Sequence, residues 1–360
     1  MSRYFAEFAG RLFFWLCGIS VAIGLVSLAA FQLGGLPART KQPPADLVRE
    51  ALTLAKNGQH ADALAVFNRS LGNKPSDPAT LVARGMSLLA LDRPAEAEAD
   101  FAKAAEFAPT SANAFAQMGR ARAMRGDHAG ALAAFDKSLA IDPDAADVCY
   151  WRAGALLRLG REDQAVAAYT AAIDRNPLLT AAIEGRGQAR LQLHQYAEAL
   201  ADFRLAHQMA PASATALSGA GLALMGLGRM PEAESSFTEA INLEPNPARM
   251  HHNRALVRFA MGQTSAALQD LDTAARRDPT LSKVRVLRGI ILAKEGKHQD
   301  AIAAFDEAIR LEPGDPEALR GRANSHRALG HEDLARQDEK IAADSRPALP
   351  EDTAKKGTGR

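Results

Sequence analysis

A proline recurs every 34 residues through most of this 360-residue chain. An alanine lies twelve residues before each of these prolines, and a large apolar residue lies eight residues before each. The prolines are Pro75, Pro109, Pro143, Pro177, Pro211, Pro245, Pro279 and Pro313; the alanines are Ala63, Ala97, Ala131, Ala165, Ala199, Ala233, Ala267 and Ala301; the large apolar residues are Phe67, Phe101, Phe135, Tyr169, Phe203, Phe237, Leu271 and Phe305. A fixed period of this kind is typical of arrays whose units bury their apolar faces against their neighbours.

Each period contains two amphipathic segments whose apolar residues recur about every 3.6 positions, which is typical of α-helices. A short break, usually containing a glycine, separates the two segments. Proline ends the second one because it cannot extend a helix and disfavours helical geometry in the residue before it. Small residues in both segments allow the two helices to approach closely. The break glycines are Gly58, Gly126, Gly160, Gly228, Gly262, Gly296 and Gly330, and those in the first segment are Gly85, Gly119, Gly187, Gly221 and Gly289.

These features resemble the tetratricopeptide repeat family, whose unit has a small residue in the first helix, Gly at the turn, Ala and an aromatic residue in the second helix, and Pro at the end. Asp92 and His194 replace the turn glycine, and Ala335 and Pro347 mark a weaker ninth unit. The resemblance implies an all-α fold, an α-solenoid in which nine 34-residue helix-turn-helix repeats form a right-handed superhelix. It also implies an inner wall of first helices that binds peptides or protein segments. The units are 44–77, 78–111, 112–145, 146–179, 180–213, 214–247, 248–281, 282–315 and 316–349.

Residues 12–35 contain no charged side chain and are strongly apolar. As a helix they would extend about 36 Å, against about 30 Å of bilayer hydrocarbon. We therefore predict one N-terminal transmembrane helix, or uncleaved signal anchor, after an N-terminal tail at 1–11 and before a linker at 36–43. The alternative is a signal peptide that is cleaved near residue 30, where small residues precede Phe31.

Basic residues flank the apolar segment equally, with Arg3 and Arg11 before it and Arg39 and Lys41 after it. The positive-inside rule therefore gives no clear orientation. The short N-terminal tail favours a cytoplasmic N-terminus and a periplasmic or extracytosolic repeat domain. Residues 350–360 are expected to form a disordered tail.

The composition argues against several other function classes. The 43 basic and 42 acidic residues give a net charge of +1, which does not indicate nucleic acid. Two cysteines, Cys17 and Cys149, are too few for a disulfide framework or a cysteine zinc site. The neighbouring His251 and His252 point about 100° apart on a helix, unlike a metal-binding pair. We expect no enzymatic activity, cofactor, metal or small-molecule substrate.

An arginine recurs at one position of the first helices, and in four units an aspartate follows sixteen residues later. We predict that these Arg–Asp pairs join the two helices of one repeat. The alternative is a basic ladder that binds phosphate or an acidic tail. The arginines are Arg84, Arg152, Arg186, Arg254, Arg288 and Arg322, and the aspartates are Asp100, Asp202, Asp270 and Asp338.

The resemblance also suggests a test for the clamp with which some co-chaperones of the family hold an acidic C-terminal tail. Asn253 and Lys283 match two of its positions, but Ser218, Leu222 and Leu287 occupy the other three. The sequence therefore does not support binding of a chaperone tail.

The inner-wall side of the first helices follows from positions three and four apart. Tyr150 and Trp151 are the predicted anchors because aromatic residues dominate binding hot spots. An alternative left open is that Trp151 packs in the core against the next repeat. The predicted partner-binding residues are Val82, Met86, Asn113, Gln117, Arg120, Tyr150, Trp151, Glu184, Gln188, Leu222, His252, Asn253 and Leu256.

Together these features predict a membrane-anchored scaffold for protein–protein interaction, which binds peptide or protein segments in the concave groove of its repeat superhelix. The alternative is a secreted or periplasmic chaperone-like or assembly subunit, released by signal peptide cleavage.

Overall fold

The computed structural model of the protein describes residues 44–244 and 246–345. These residues form 18 α-helices, α1 to α18, with no strand among them. The predicted transmembrane helix at 12–35, its flanking segments and the predicted tail at 350–360 lie outside the described residues. None of the helices in the described ranges combines the length and apolar character needed to span a membrane.

The chain divides after Gln195 into two compact units, which are described separately. The first contains α1 (Pro44–Lys56), α2 (His60–Asn73), α3 (Pro78–Ala90), α4 (Pro94–Phe107), α5 (Ala112–Met124), α6 (His128–Ile141), α7 (Ala146–Arg158), α8 (Glu162–Arg175) and α9 (Thr180–Gln192). The second contains α10 (Tyr196–Met209), α11 (Ala214–Gly226), α12 (Met230–Leu243), α13 (Ala248–Ala260), α14 (Thr264–Arg277), α15 (Ser282–Lys294), α16 (His298–Leu311), α17 (Pro316–Ala328) and α18 (Glu332–Asp344). Odd-numbered helices are the first helices of each pair, and even-numbered helices are the second.

The turns within the helix pairs require a residue in the left-handed region. All seven predicted turn glycines have positive φ, between 68° and 82°. Asp92 and His194 take the same conformation at φ 56° and 59°. Asp and His are among the residues that tolerate this region better than most. The turn is therefore kept where the glycine is replaced.

Within each unit, every helix packs on the next, and the first helices of successive pairs also contact one another. Buried alanines let the helices approach closely, since all nine alanines at the repeated position, from Ala63 to Ala335, are fully buried. The aromatic ring of the second helix lies against a glycine of the first. A Cβ atom on Gly85 would lie 2.5 Å from Cε1 of Phe101. This packing confirms the predicted role of the small residues at Gly85, Gly119, Gly221 and Gly289, and the role of Gly187 stays a prediction.

The predicted Arg–Asp pairs are present in three repeats. Arg84 Nε and Nη2 donate to Asp100 at 2.7 and 2.6 Å. Arg254 binds Asp270, and Arg322 binds Asp338, with the same bidentate geometry. The fourth pair, Arg186 with Asp202, would join residues of different units and stays a prediction.

A second set of bonds, which the sequence analysis did not predict, runs sixteen residues backwards to the second helix of the preceding repeat. Each of the six arginines donates there to an amide, a hydroxyl or a carboxylate. The acceptors are Asn68 for Arg84, Asp136 for Arg152, Thr170 for Arg186, Thr238 for Arg254, Asp272 for Arg288 and Asp306 for Arg322. Because all six are engaged within the protein, the structure favours the structural interpretation over a phosphate-binding ladder.

Candidate functional site

The first helices of each unit form one surface, which we call the inner wall: α1, α3, α5, α7 and α9 in the first unit, and α11, α13, α15 and α17 in the second. Successive first helices contact one another, whereas successive second helices are separated by the first helices between them. The closer spacing places the inner wall on the inside of the curve within each unit. All thirteen predicted partner-binding residues lie on first helices, four helices in the first unit and two in the second.

The predicted residues differ in their access to solvent. Met86 and Asn113 are exposed, whereas Val82, Gln117 and Tyr150 are buried. The other eight are half-buried: Arg120, Trp151, Glu184, Gln188, Leu222, His252, Asn253 and Leu256. Ten of the thirteen side chains are therefore accessible on the inner wall of their own unit, and the three buried ones support the wall from beneath.

On α5, three polar side chains form a chain of hydrogen bonds. Gln117 Nε2 donates to Asn113 Oδ1 at 3.2 Å, and Arg120 Nη1 donates to Gln117 Oε1 at 2.8 Å. The guanidinium carbon of Arg120 also lies 4.8 Å from the centroid of the Trp151 ring on α7. A cation stacked on an indole in this way is held in one orientation. The network therefore presents a pre-organised polar surface across two neighbouring first helices.

Tyr150 and Trp151 have different environments although they are neighbours in sequence. The Tyr150 ring is 5% exposed and packs 5.9 Å from the ring of Tyr169, centroid to centroid. The Trp151 ring packs 6.3 Å from that of Phe135 and also contacts Arg120. Trp151 thus contributes to the core on one side and to the inner wall on the other, while Tyr150 belongs to the core.

In the second unit, His252 on α13 is electrostatically constrained. Burial lowers its pKa to about 4, with further lowering by the positive charges of Lys283 and Arg249. The imidazole is therefore neutral at pH 7, and its Nδ1 atom has no hydrogen-bond partner among the described residues.

Lys283, one of the two matches to a tail-binding clamp, is held by acidic groups of the protein. Its Nζ atom lies 2.9 Å from Asp315 Oδ2 and 3.5 Å from Glu317 Oε2. A charge neutralised in this way is poorly placed to attract the carboxylate of a partner. The contacts of Lys283 agree with the incomplete clamp in the sequence.

One exposed residue of the inner wall was missed. Leu52 on α1 is 48% exposed, and Met86 on the neighbouring α3 is 47% exposed. The two occupy the same position of successive repeats, and Arg120 follows at the next. Aligning Leu52 with Met86 by the 34-residue period would have revealed it. Together with Arg120 and Trp151, these residues extend the candidate surface over α1, α3, α5 and α7.

No cluster of three or more His, Cys, Asp or Glu side chains in the described part of the chain has the arrangement of a metal site.

A tetratricopeptide repeat profile matches residues 48–112, 184–249, 252–316 and 286–350, and a second profile of the same repeat matches 122–183. The chain belongs to the tetratricopeptide repeat family. Tetratricopeptide repeats generally mediate protein–protein interactions. Comparison with curated proteins finds no match.

Solved structures of similar proteins share the tetratricopeptide repeat fold. A chain of the APC/C hetero-tetramer Cut9–Hcn1 superposes with a TM-score of 0.57 and 18% identity, over 78% of this chain and 55% of that chain. Our 360-residue protein thus spans only about half the length of the Cut9–Hcn1 chain that it matches. A tetratricopeptide repeat protein from Parabacteroides merdae gives a TM-score of 0.58 and 19% identity, over 74% of this chain and 98% of that one. The pilF protein of Pseudomonas aeruginosa gives a TM-score of 0.52 and 18% identity, over 60% of this chain and 98% of the pilF chain. At these identities the likeness shows the fold alone.

Proposed function

We propose that this tetratricopeptide repeat protein is a membrane-anchored scaffold without catalytic activity, which binds an extended peptide or protein segment on the inner wall of its first unit. The main support is the solvent-accessible surface formed by the exposed Leu52 and Met86 and the half-buried Arg120 and Trp151 on four successive first helices. Such a pre-formed surface lowers the entropic cost of binding a flexible segment.

The chemistry of this surface favours a segment with an apolar side chain near a polar one. Leu52 and Met86 offer apolar contact, and methionine adapts its shape to different partners. Arg120 on α5 and Trp151 on α7 contact each other and offer a hydrogen-bond donor and an aromatic face. Aromatic and arginine side chains in half-buried settings are typical of binding hot spots.

The experiment compares partner capture by the unmodified full-length protein with capture by one double and one single variant. Leu52→Asp with Met86→Asp places charges on the inner wall, whereas Phe107→Asp places one at an exposed apolar position of a second helix. Proteins enriched by the unmodified protein in cross-linking from cells should be lost with the inner-wall variant and kept with Phe107→Asp. Enrichment that survives the inner-wall variant but is lost with Phe107→Asp would move the site to the second helices.

We further propose that residues 12–35 anchor the protein in a membrane, with a cytoplasmic N-terminus and an extracytosolic repeat domain. The support is the uncharged apolar length of this segment. Protease added to intact cells or spheroplasts should degrade a tag placed after Arg360, while the membrane fraction retains residues 1–35. Protection of the tag would reverse the orientation. A mature N-terminus near Phe31 would replace the anchor by the alternative, a released periplasmic or secreted subunit.

A further inference from the structure

A cavity of about 240 Å³ lies between α6, α7 and α8 in the first unit. Its walls are mostly apolar and include Leu139, Cys149, Ala168 and Ala171, and the side chains of Arg152 and Arg175 border it. None of the proposed partner-binding residues lines it. The cavity is therefore separate from the inner-wall surface.

The cavity arises because two small residues of one repeat face the same space. The positions equivalent to Cys149 carry a larger side chain in every other repeat: Leu47, Leu81, Phe115, Ile183, Leu217, His251, Arg285 and Leu319. The positions equivalent to Ala171 do the same: Arg69, Lys103, Lys137, Leu205, Glu239, Thr273, Glu307 and Ile341. At the Ala171 position the longer side chains of the other repeats are mostly exposed. In this repeat the short side chains of Cys149 and Ala171 border one apolar space.

Arg175 is held beside this space by two carbonyl groups. Its Nε donates to Pro143 O at 2.7 Å, and its Nη1 donates to Ala171 O at 2.8 Å. The guanidinium thus reaches from the end of α8 to the turn after α6. It forms no ion pair with any of the residues that the structure describes. An uncompensated, immobilised cation beside an apolar cavity attracts an anionic group.

The electrostatics at the cavity wall agree with this geometry. Burial raises the pKa of the Cys149 thiol, and the positive charges of Arg175 and Arg152 oppose that shift. The thiol is therefore neutral at pH 7. Both guanidinium groups lie close enough to act on a charge placed in the cavity. Arg152 already binds Asp136 through Nε at 2.6 Å, which leaves Arg175 as the principal anion partner.

We propose that this cavity binds a small amphiphilic carboxylate, with its aliphatic chain of medium length against Leu139, Cys149 and Ala168 and its carboxylate on Arg175. The volume sets the size of the ligand. A cavity of about 150 Å³ accepts benzene, and drug-sized ligands occupy about 300 Å³ or more. A chain of medium length fits between these limits. This ligand site goes beyond the proposed scaffold function and does not depend on it.

The test is calorimetric titration of the full-length protein with octanoate, below the concentration at which octanoate forms micelles. We expect one saturable site. Cys149→Leu and, separately, Ala171→Leu fill the cavity from opposite walls and should each abolish saturable binding. Arg175→Met keeps the cavity and removes the charge, so octanoate should bind at least tenfold more weakly, while uncharged 1-octanol should bind this variant and the unmodified protein equally.

Arg310→Met is the matched control, since Arg310 is an exposed arginine in the last turn of another second helix. It should leave octanoate binding unchanged. Thermal unfolding of each variant identifies any that fails to fold. If one of the two cavity-filling variants does not fold, the other one provides the test. Absence of a saturable site, saturable binding that persists in a folded cavity-filling variant, or octanoate binding that does not change with Arg175→Met would each overturn the proposal.

Discussion

Arg254 on α13 donates two hydrogen bonds to Asp270 on α14, from Nε to Oδ2 at 2.9 Å and from Nη2 to Oδ1 at 2.7 Å. Two further side chains of α13 reach the same carboxylate. Arg258 Nη1 donates to Oδ2 at 2.9 Å, and His251 Nδ1 lies 2.9 Å from Oδ1. Asp270 is thus the common acceptor for three side chains of the neighbouring helix.

Asp270→Ala should destabilise the second unit by about 3 kcal/mol, because it leaves the partly buried guanidinium of Arg254 without a carboxylate partner. Arg258 keeps its ion pair with Glu234. Asp272 on the same helix is the matched control. It pairs with Arg288, but both side chains are nearly half exposed. Asp272→Ala should therefore cost at most about 1 kcal/mol. Urea unfolding followed by circular dichroism measures both, and equal losses would contradict the assigned role of Asp270.

Acid should weaken the fold through the same residue. Burial opposes the charge of Asp270, but the hydrogen bonds from His251 and Arg254 outweigh it and lower the pKa to about 2. The folded-state pKa is thus below the unfolded value of about 3.9. The stabilisation is present above that value and is lost as the pH falls towards 2.

We therefore expect the stability difference between the unmodified protein and Asp270→Asn to shrink by about 1 kcal/mol between pH 6 and pH 3. The measurement is urea unfolding of both proteins at each pH. A difference that is constant over this range would show that Asp270 has an ordinary pKa in the folded state.

Replacing two different glycines by alanine should change the stability of the protein in opposite directions. In Gly85→Ala, the new Cβ would lie 2.5 Å from the Phe101 ring, and the displacement of that ring should cost about 1–3 kcal/mol. Gly72 lies in helix α2, where an added Cβ atom would have no neighbour within 4 Å. Gly72→Ala should stabilise the protein by up to about 1 kcal/mol because alanine favours helix. Thermal unfolding separates the two, and a stabilising Gly85→Ala would refute the packing described for Phe101.

Filling the cavity next to α8 should stabilise the first unit even without a ligand. Cys149→Leu adds apolar volume to an apolar space, and such substitutions commonly contribute about 0.5–2 kcal/mol. Cys149→Ser places a hydroxyl there instead and should destabilise the protein. The two unfolding temperatures should lie on opposite sides of that of the unmodified protein. A lower value for Cys149→Leu would mean that the walls do not accommodate leucine.

Much of the fold could be predicted from the sequence because each residue of one repeat can be compared with the residues at the same position of the eight other repeats. The helix pairs, the left-handed turn residues and the bonds from Arg84 to Asp100 all follow from positions within one unit. The bond from Arg84 to Asn68 was missed because it crosses to the preceding repeat, where the acceptor is not always an aspartate. A pattern that changes chemistry between amide, hydroxyl and carboxylate is hard to recognise as one interaction.

The candidate site was less predictable than the fold. The period places Tyr150 and Trp151 on a first helix. Neighbouring side chains of a helix point about 100° apart, so one can lie in the core while the other reaches the surface. Which of them faces outwards depends on packing against Tyr169 and Phe135. Leu52 was missed although its register matches that of Met86. The cavity at Cys149 could not be predicted from the sequence, because it depends on Cys149 and Ala171 lying close together in space.

The backward bonds of the arginines have a mechanical consequence. They tie a first helix to the preceding second helix, so load applied along the array passes through polar links as well as apolar contacts. At this position Met118 and Ala220 replace arginine. In an array whose stability depends on nearest-neighbour terms, the weakest joints determine where cooperativity breaks. Arg122 and Arg125 at α5 instead bind Glu98 of α4. When the protein is pulled from its ends, we therefore expect separation within the second unit to begin at α11.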